Sequence, residues 1–128
     1  MRYLLDTHVF LWFSINNSCL SNNAKALIEN PESEIYLRAV VVWEISIKLK
    51  IGKIELAVDL DTFIADSIQA YNFVPLLIAI PHTIQVYKLP GLHQDPFDRM
   101  LIAQSQVENL FPITSDSLIR QYDVKITW

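Results

Sequence analysis

Hydrophobic and polar positions run along this chain in blocks whose period changes. Tyr3-Leu4-Leu5 is a short apolar run that stops at Asp6, as a strand buried on both faces would read. His8 to Phe13 is mostly apolar and predicts a helix. Ser21 is placed to cap a helix with Ala24, Leu27 and Ile28 on one face, which stops before Pro31. Glu34 to Ala39 predicts a second strand. From Val42 to Ile51 two sets recur at helical spacing, Val42, Ile45 and Leu49 beside Trp43, Ile47 and Ile51, so this helix is expected to be buried on most sides. Asp59 can cap a cleaner amphipathic helix carrying Leu60, Phe63, Ile64, Ile68 and Tyr71, and Phe73 to Ile78 predicts a third strand. Pro81 suits the first turn of a helix carrying Ile84 and Tyr87, which Pro90-Gly91 ends. Asp95-Pro96-Phe97-Asp98 opens the clearest helix, with Phe97, Met100, Leu101, Ala103, Val107 and Leu110 on its core side. Phe111 to Thr114 predicts a fourth strand, Asp116 to Tyr122 a short helix, and Val124 to Thr127 a last strand.

Strands that alternate with helices imply an α/β fold with a mostly parallel sheet covered on both faces. The length of 128 residues suits a single domain spanning 1–128, and 52% hydrophobic residues suffice for a real core. No run approaches the roughly 18 apolar residues of a membrane helix, and the run that starts the chain meets a charge, at Asp6, too early for a secretory leader. The lone Cys19 excludes an internal disulfide and a cysteine-built zinc site. The expectation is a soluble, cytoplasmic chain with no membrane partner. Two glycines, Gly52 and Gly91, leave no glycine-rich phosphate loop. The formal charge of −4 argues against gripping nucleic acid by bulk positive charge.

Parallel strands share a direction, so acids that follow them meet at one edge, where ligands of such folds bind. Asp6 follows the first strand and Asp116 the fourth. Glu44 and Asp98 are expected in the first turns of two helices at that edge. Four carboxylates in one cleft repel, and a hard divalent cation, Mg²⁺ or Mn²⁺, relieves them with an all-oxygen shell. Each acid also has a plainer reading. Asp6 and Asp116 can cap turns or helices, Glu44 can pair with Lys48 one turn on, and Asp98 suits a helix dipole.

Taken together these residues resemble the PIN-domain family, in particular the VapC-type toxin ribonucleases of bacterial toxin–antitoxin pairs. The resemblance rests on Leu4-Leu5-Asp6-Thr7-His8-Val9-Phe10-Leu11-Trp12, on Trp43-Glu44-Ile45-Ser46-Ile47-Lys48 with Gly52-Lys53-Ile54, on His93 to Gln104, and on Thr114-Ser115-Asp116. It implies an α/β/α sandwich and a metal-dependent endoribonuclease that hydrolyses RNA. By position, Asp6, Glu44, Asp98 and Asp116 match the family's acidic quartet, taken as both catalytic and metal-binding. Thr114 matches a hydroxyl residue beside the last acid, and Asp95 is a further acid of the Asp-Pro-Phe-Asp pattern that helix capping also explains. Arg99 and Lys48 are candidates for contact with phosphate or with an acid. The resemblance further implies a cognate antitoxin and a homodimer, with apolar faces near Phe10, Leu11 and Phe13 available to either.

One departure stands out. Where close relatives carry small hydroxyl residues before the Trp-Glu pair, this chain has Arg38-Ala39-Val40-Val41-Val42. The histidines have no zinc-type spacing; His8 and His93 are read as bystanders, and His82 as solvent-facing near a helix start. Among other functions, a Mg²⁺-dependent phosphatase of the haloacid-dehalogenase type wants an acid where His8 stands, and a receiver domain wants a Lys after a late strand. A catalytically silent PIN fold that only binds protein remains, though none of the quartet is lost. With those four acids set aside, ten acids face ten bases, so the excess negative charge lies in the proposed site.

Overall fold

A computed structural model describes all 128 residues. The sheet consists of β1 (Arg2–Leu5), β2 (Glu34–Arg38), β3 (Val74–Leu76) and β4 (Phe111–Ile113), in the order β3-β2-β1-β4 with every neighbouring pair parallel. The helices are α1 (Thr7–Ser14), α2 (Asn22–Glu29), α3 (Ala39–Lys50), α4 (Leu60–Tyr71), α5 (Ile80–Lys88) and α6 (Pro96–Glu108). Successive side chains of a strand point to opposite faces. Tyr3 and Leu5 therefore join Ile35 and Leu37 in one core with Val9 and Phe10 of α1 and Val41 and Ile45 of α3, while Leu4 joins Leu101, Ile102 and Ala103 of α6 in another. Two cores either side of one sheet make the expected three-layer α/β/α sandwich. Each fully buried Leu, Ile or Phe contributes roughly 2 kcal/mol.

Local chemistry sets the ends of these elements. Ser21 Oγ accepts the Ala24 N–H at 3.0 Å and starts α2, and Asp95 Oδ1 accepts those of Phe97 and Asp98 at 2.8 and 3.1 Å and starts α6. α4 and α6 both end on an asparagine in the left-handed region, Asn72 (φ 55°) and Asn109 (φ 54°). Asparagine tolerates that conformation because its short polar side chain can bond locally.

The expected elements are present, with four corrections. α3 starts at Ala39, directly after β2, so Glu44 lies in its second turn and not its first. The helix is also not buried all round: Val40, Val41 and Ile45 are inside, but Trp43, Ile47 and Ile51 form an exposed apolar stripe. The third strand shrinks to Val74–Leu76 and stands at the sheet edge, where Pro75 is tolerated. Past β4, the expected helix is one 3-10 turn, Ile119–Gln121, and the expected last strand is a single parallel bridge between Ile113 and Thr127. No helix is long and apolar enough to cross a membrane.

Candidate metal centre

β1 is flanked by β2 on one side and β4 on the other, so the chain reverses its winding beside β1. A crevice forms at such a point outside the carboxyl ends of the strands. Asp6 follows β1 there, and although it occupies the cap position of α1 its side chain makes no capping bond. It is buried, and its Oδ2 instead accepts the Thr114 hydroxyl at 2.6 Å. The same Thr114 oxygen accepts the Asp116 N–H at 3.1 Å. A buried threonine thus ties the acid after β1 to the acid after β4.

Asp116 and Asp98 meet at His93. The His93 Nε2 lies 3.1 Å from Asp98 Oδ2 and 3.1 Å from Asp116 Oδ2. Donor atoms of these three residues all fall within 4.8 Å of one another. His93 has no direct part in the chemistry on the sequence reading, which did not foresee its place between the two carboxylates. The only local hint was its place two residues before the Asp95 cap. Its other nitrogen, Nδ1, accepts the Asp95 N–H at 3.1 Å. An accepting Nδ1 leaves the ring proton on Nε2, which then donates to the two carboxylates. A metal-ligating histidine has the reverse arrangement, its second nitrogen donating outward.

The remaining site residues sort by what they touch. Glu44 Oε1 accepts the Thr7 hydroxyl at 2.7 Å and its Oε2 pairs with Lys48 Nζ at 2.9 Å, one partner for each oxygen. Glu44 stands outside the Asp98–Asp116–His93 group and is tied to it through the Asp6-Thr7 backbone. Lys48 contacts an acid, as one of its two readings expected. Arg99 turns away from the crevice: Nη1 donates to the Pro90 and His93 carbonyls at 3.0 and 3.3 Å, and Nη2 to the Val86 carbonyl at 3.0 Å. It fastens the loop before α6 rather than facing substrate. Asp95 is occupied as a cap. His82, expected at the surface, is 2% exposed, and its Nδ1 accepts the Ala79 N–H at 2.9 Å.

Charge in the crevice is uneven. The Asp98 carboxyl is pushed up to about 7, first by burial, then by repulsion from Asp6 and Asp95, with His93 pulling down and Asp116 adding a little more repulsion. Arg38, at the end of β2, is 1% exposed. Its Nε donates to the Leu5 carbonyl at 3.3 Å, and its buried Nη1 has no partner. Burial pushes the guanidinium down to about 10, against the pull of Asp6, Glu44 and Asp98. A cavity of about 630 Å³ opens elsewhere, between α6 and the C-terminal segment around Gln106, Phe111 and Val124.

The residues fit a hard divalent ion. Asp98 and Asp116 offer oxygen donors at one spot with Asp6 nearby, and burial, with repulsion from Asp6 and Asp95 added, holds the Asp98 carboxyl near 7.

Comparison with known proteins bears on the fold and the family. The family model described as "PIN domain" matches residues 3–125. No curated protein matches the chain significantly. Among solved structures, a chain of VapBC2 from Rickettsia felis, crystallised with a DNA fragment from its promoter, superposes with a TM-score of 0.73 at 15% identity, covering 100% of this chain and 99% of that one. A chain of VapBC-1 from nontypeable Haemophilus influenzae gives 0.68 at 17% identity over 99% and 97%. FitAcB from Neisseria gonorrhoeae gives 0.61 at 16% identity over 100% and 97%. Such identities speak for the fold alone. The family model, spanning nearly every residue from β1 to the C-terminal segment, goes further: this chain belongs to the PIN-domain family.

Proposed function

We propose that this chain, acting as one domain over 1–128, is a metal-dependent endoribonuclease and the toxin of a toxin–antitoxin pair. The observation that carries the reading is the convergence of Asp98 and Asp116, with Asp6 tied to them through Thr114, at the point where the sheet reverses its winding. Asp98, Asp116 and Asp6 would hold the ion, Mg²⁺ or Mn²⁺. When bound, such an ion activates water and neutralises charge on a phosphodiester in displacement.

The chain's own residues prepare that site. Thr114 fixes the rotamer of Asp6, leaving Oδ1 free to face the crevice. Glu44 serves as a positioning residue: held by Thr7 and Lys48, it anchors α3 against the start of α1 and adds negative field. Its sequence-derived place in the quartet is kept as part of the field. Lys48, beside it, is the cation best placed to meet an incoming phosphate. Asp95 and Arg99 shape the turn that carries Asp98.

A protein partner belongs to the same reading, because the solved structures of like fold are the two-component VapBC and FitAB assemblies. Of the face expected to offer docking, Phe10 and Phe13 are buried and Leu11 is half-buried. Exposed apolar area lies instead on α3 (Trp43, Ile47, Ile51) and α5 (Ile80, Ile84, Tyr87), for an antitoxin or a second copy. A reducing cytoplasm is the setting this function calls for.

The test is cleavage of structured RNA against single- and double-stranded DNA, with EDTA, Mg²⁺ or Mn²⁺. RNA cleavage that needs the ion and is lost in Asp6→Asn is expected. Undiminished metal-dependent cleavage by that variant would refute the assignment.

A further inference from the structure

The departure noted at Arg38 lies at the foot of this crevice. A guanidinium is taken out of water at large cost and is normally paired when buried. Here Nε has one carbonyl partner and Nη1 has none, so local bonding does not account for the residue. Asp6, Glu44 and Asp98 all favour its charged form, against a larger cost of burial. β2 runs beside β1, and the bond from Arg38 Nε to the Leu5 carbonyl sets the guanidinium against the end of β1, one residue before Asp6.

A charge count follows. The crevice gathers four carboxylates, Asp6, Glu44, Asp98 and Asp116. Lys48 is paired with Glu44 at 2.9 Å, and Arg38 adds a second, fixed positive charge. With all four acids ionised, as they would be around a bound cation, two negative charges remain, which one divalent ion neutralises. A second ion would leave the metal-loaded crevice two charges positive, with an immovable guanidinium at its floor.

We propose that Arg38 is a resident cation standing in for a second metal, so that this site binds a single divalent ion. This rests on the metal-dependent reading above. It concerns a positioning residue: Arg38 is too deeply buried to meet substrate, and acts by setting how many ions the carboxylates accept and how tightly.

The test uses the full chain, stripped with EDTA and titrated with Mn²⁺ in the absence of RNA. Free Mn²⁺ is followed by electron paramagnetic resonance and heat by calorimetry. One ion per chain is expected. Arg38→Met keeps much of the volume and removes the charge; it is expected to bind a second ion, or to bind the first at least tenfold more tightly. Tenfold is the low end of what one neighbouring charge does to an ionisation, about 1–3 pH units. Arg38→Lys keeps the charge and should stay at one ion. Circular dichroism checks that the variants fold, and if Arg38→Met does not, the wild-type count still decides. Two ions on the wild type, or unchanged count and affinity in a folded Arg38→Met, overturns the proposal and leaves the nuclease reading standing. No Mn²⁺ bound by the wild type, with Asp98→Asn indistinguishable from it, instead removes the metal-dependent reading itself, and the role of Arg38 with it.

Discussion

Asp98 carries the sharpest quantitative consequence of this site. Its carboxyl, ordinarily at 3.8, is held near 7 in the folded chain, chiefly by burial and by Asp6 and Asp95. The native state therefore keeps a proton that the unfolded chain has released. The stability gained from that proton is fully present below about pH 4, falls as pH rises, and is gone once pH passes 7. The gap between 3.8 and about 7 corresponds to roughly 4 kcal/mol. With the side chain 23% exposed, solvent screening reduces this to ~2–3 kcal/mol. Asp98→Asn removes the titration. In EDTA, urea unfolding of variant and wild type should give equal stabilities near pH 4, with the variant ahead by ~2–3 kcal/mol at pH 8, or roughly 10 °C in Tm. Mn²⁺ then closes most or all of that gap at pH 8. An ion at a hundredfold over its Kd adds about 2.7 kcal/mol to the chain that binds it, and the variant gains little. Stability differences that stay flat from pH 4 to pH 8, or a variant weaker at pH 8 in EDTA, would refute the account of Asp98 as a strained, undercompensated acid.

Two further outcomes separate neighbouring roles. His93→Ala should leave Mn²⁺ affinity equal or higher in calorimetry, because Nε2 donates a proton to Asp98 and Asp116 and does not ligate; a tenfold loss would make it a ligand. Arg99→Ala should lower stability by about 2 kcal/mol through the lost carbonyl bonds, while the salt dependence of RNA binding keeps its slope; a slope reduced by about one would return Arg99 to a phosphate contact.

What could be read from the sequence divides along physical lines. The apolar run of β1, the capping residues Ser21 and Asp95, and the proline starts of α5 and α6 are local signals, and they placed most elements. Asp6 and Asp116 were legible for the same reason: an acid after a parallel strand has few places to go. Pairings set by tertiary packing were not legible. Nothing local distinguishes Trp43, exposed, from Ile45, buried, in a helix apolar on two faces. His93 is brought to Asp116 by a contact across 23 residues, and Arg38 to Leu5 by one across 33.

The two residues missed share a property that explains both misses. Each is a donor whose value depends on acids arriving from other elements, and in isolation each reads as an ordinary polar residue near a strand or loop end. A charged residue at the end of a buried parallel strand, followed by Ala39-Val40-Val41-Val42 with no turn residue, was nevertheless a signal. Such a strand passes directly into a helix at the ligand edge, so its last side chain must lie in the crevice or beneath it. A guanidinium there is expensive unless acids surround it. Arg38 was therefore evidence, already in the sequence, that the carboxylates converge.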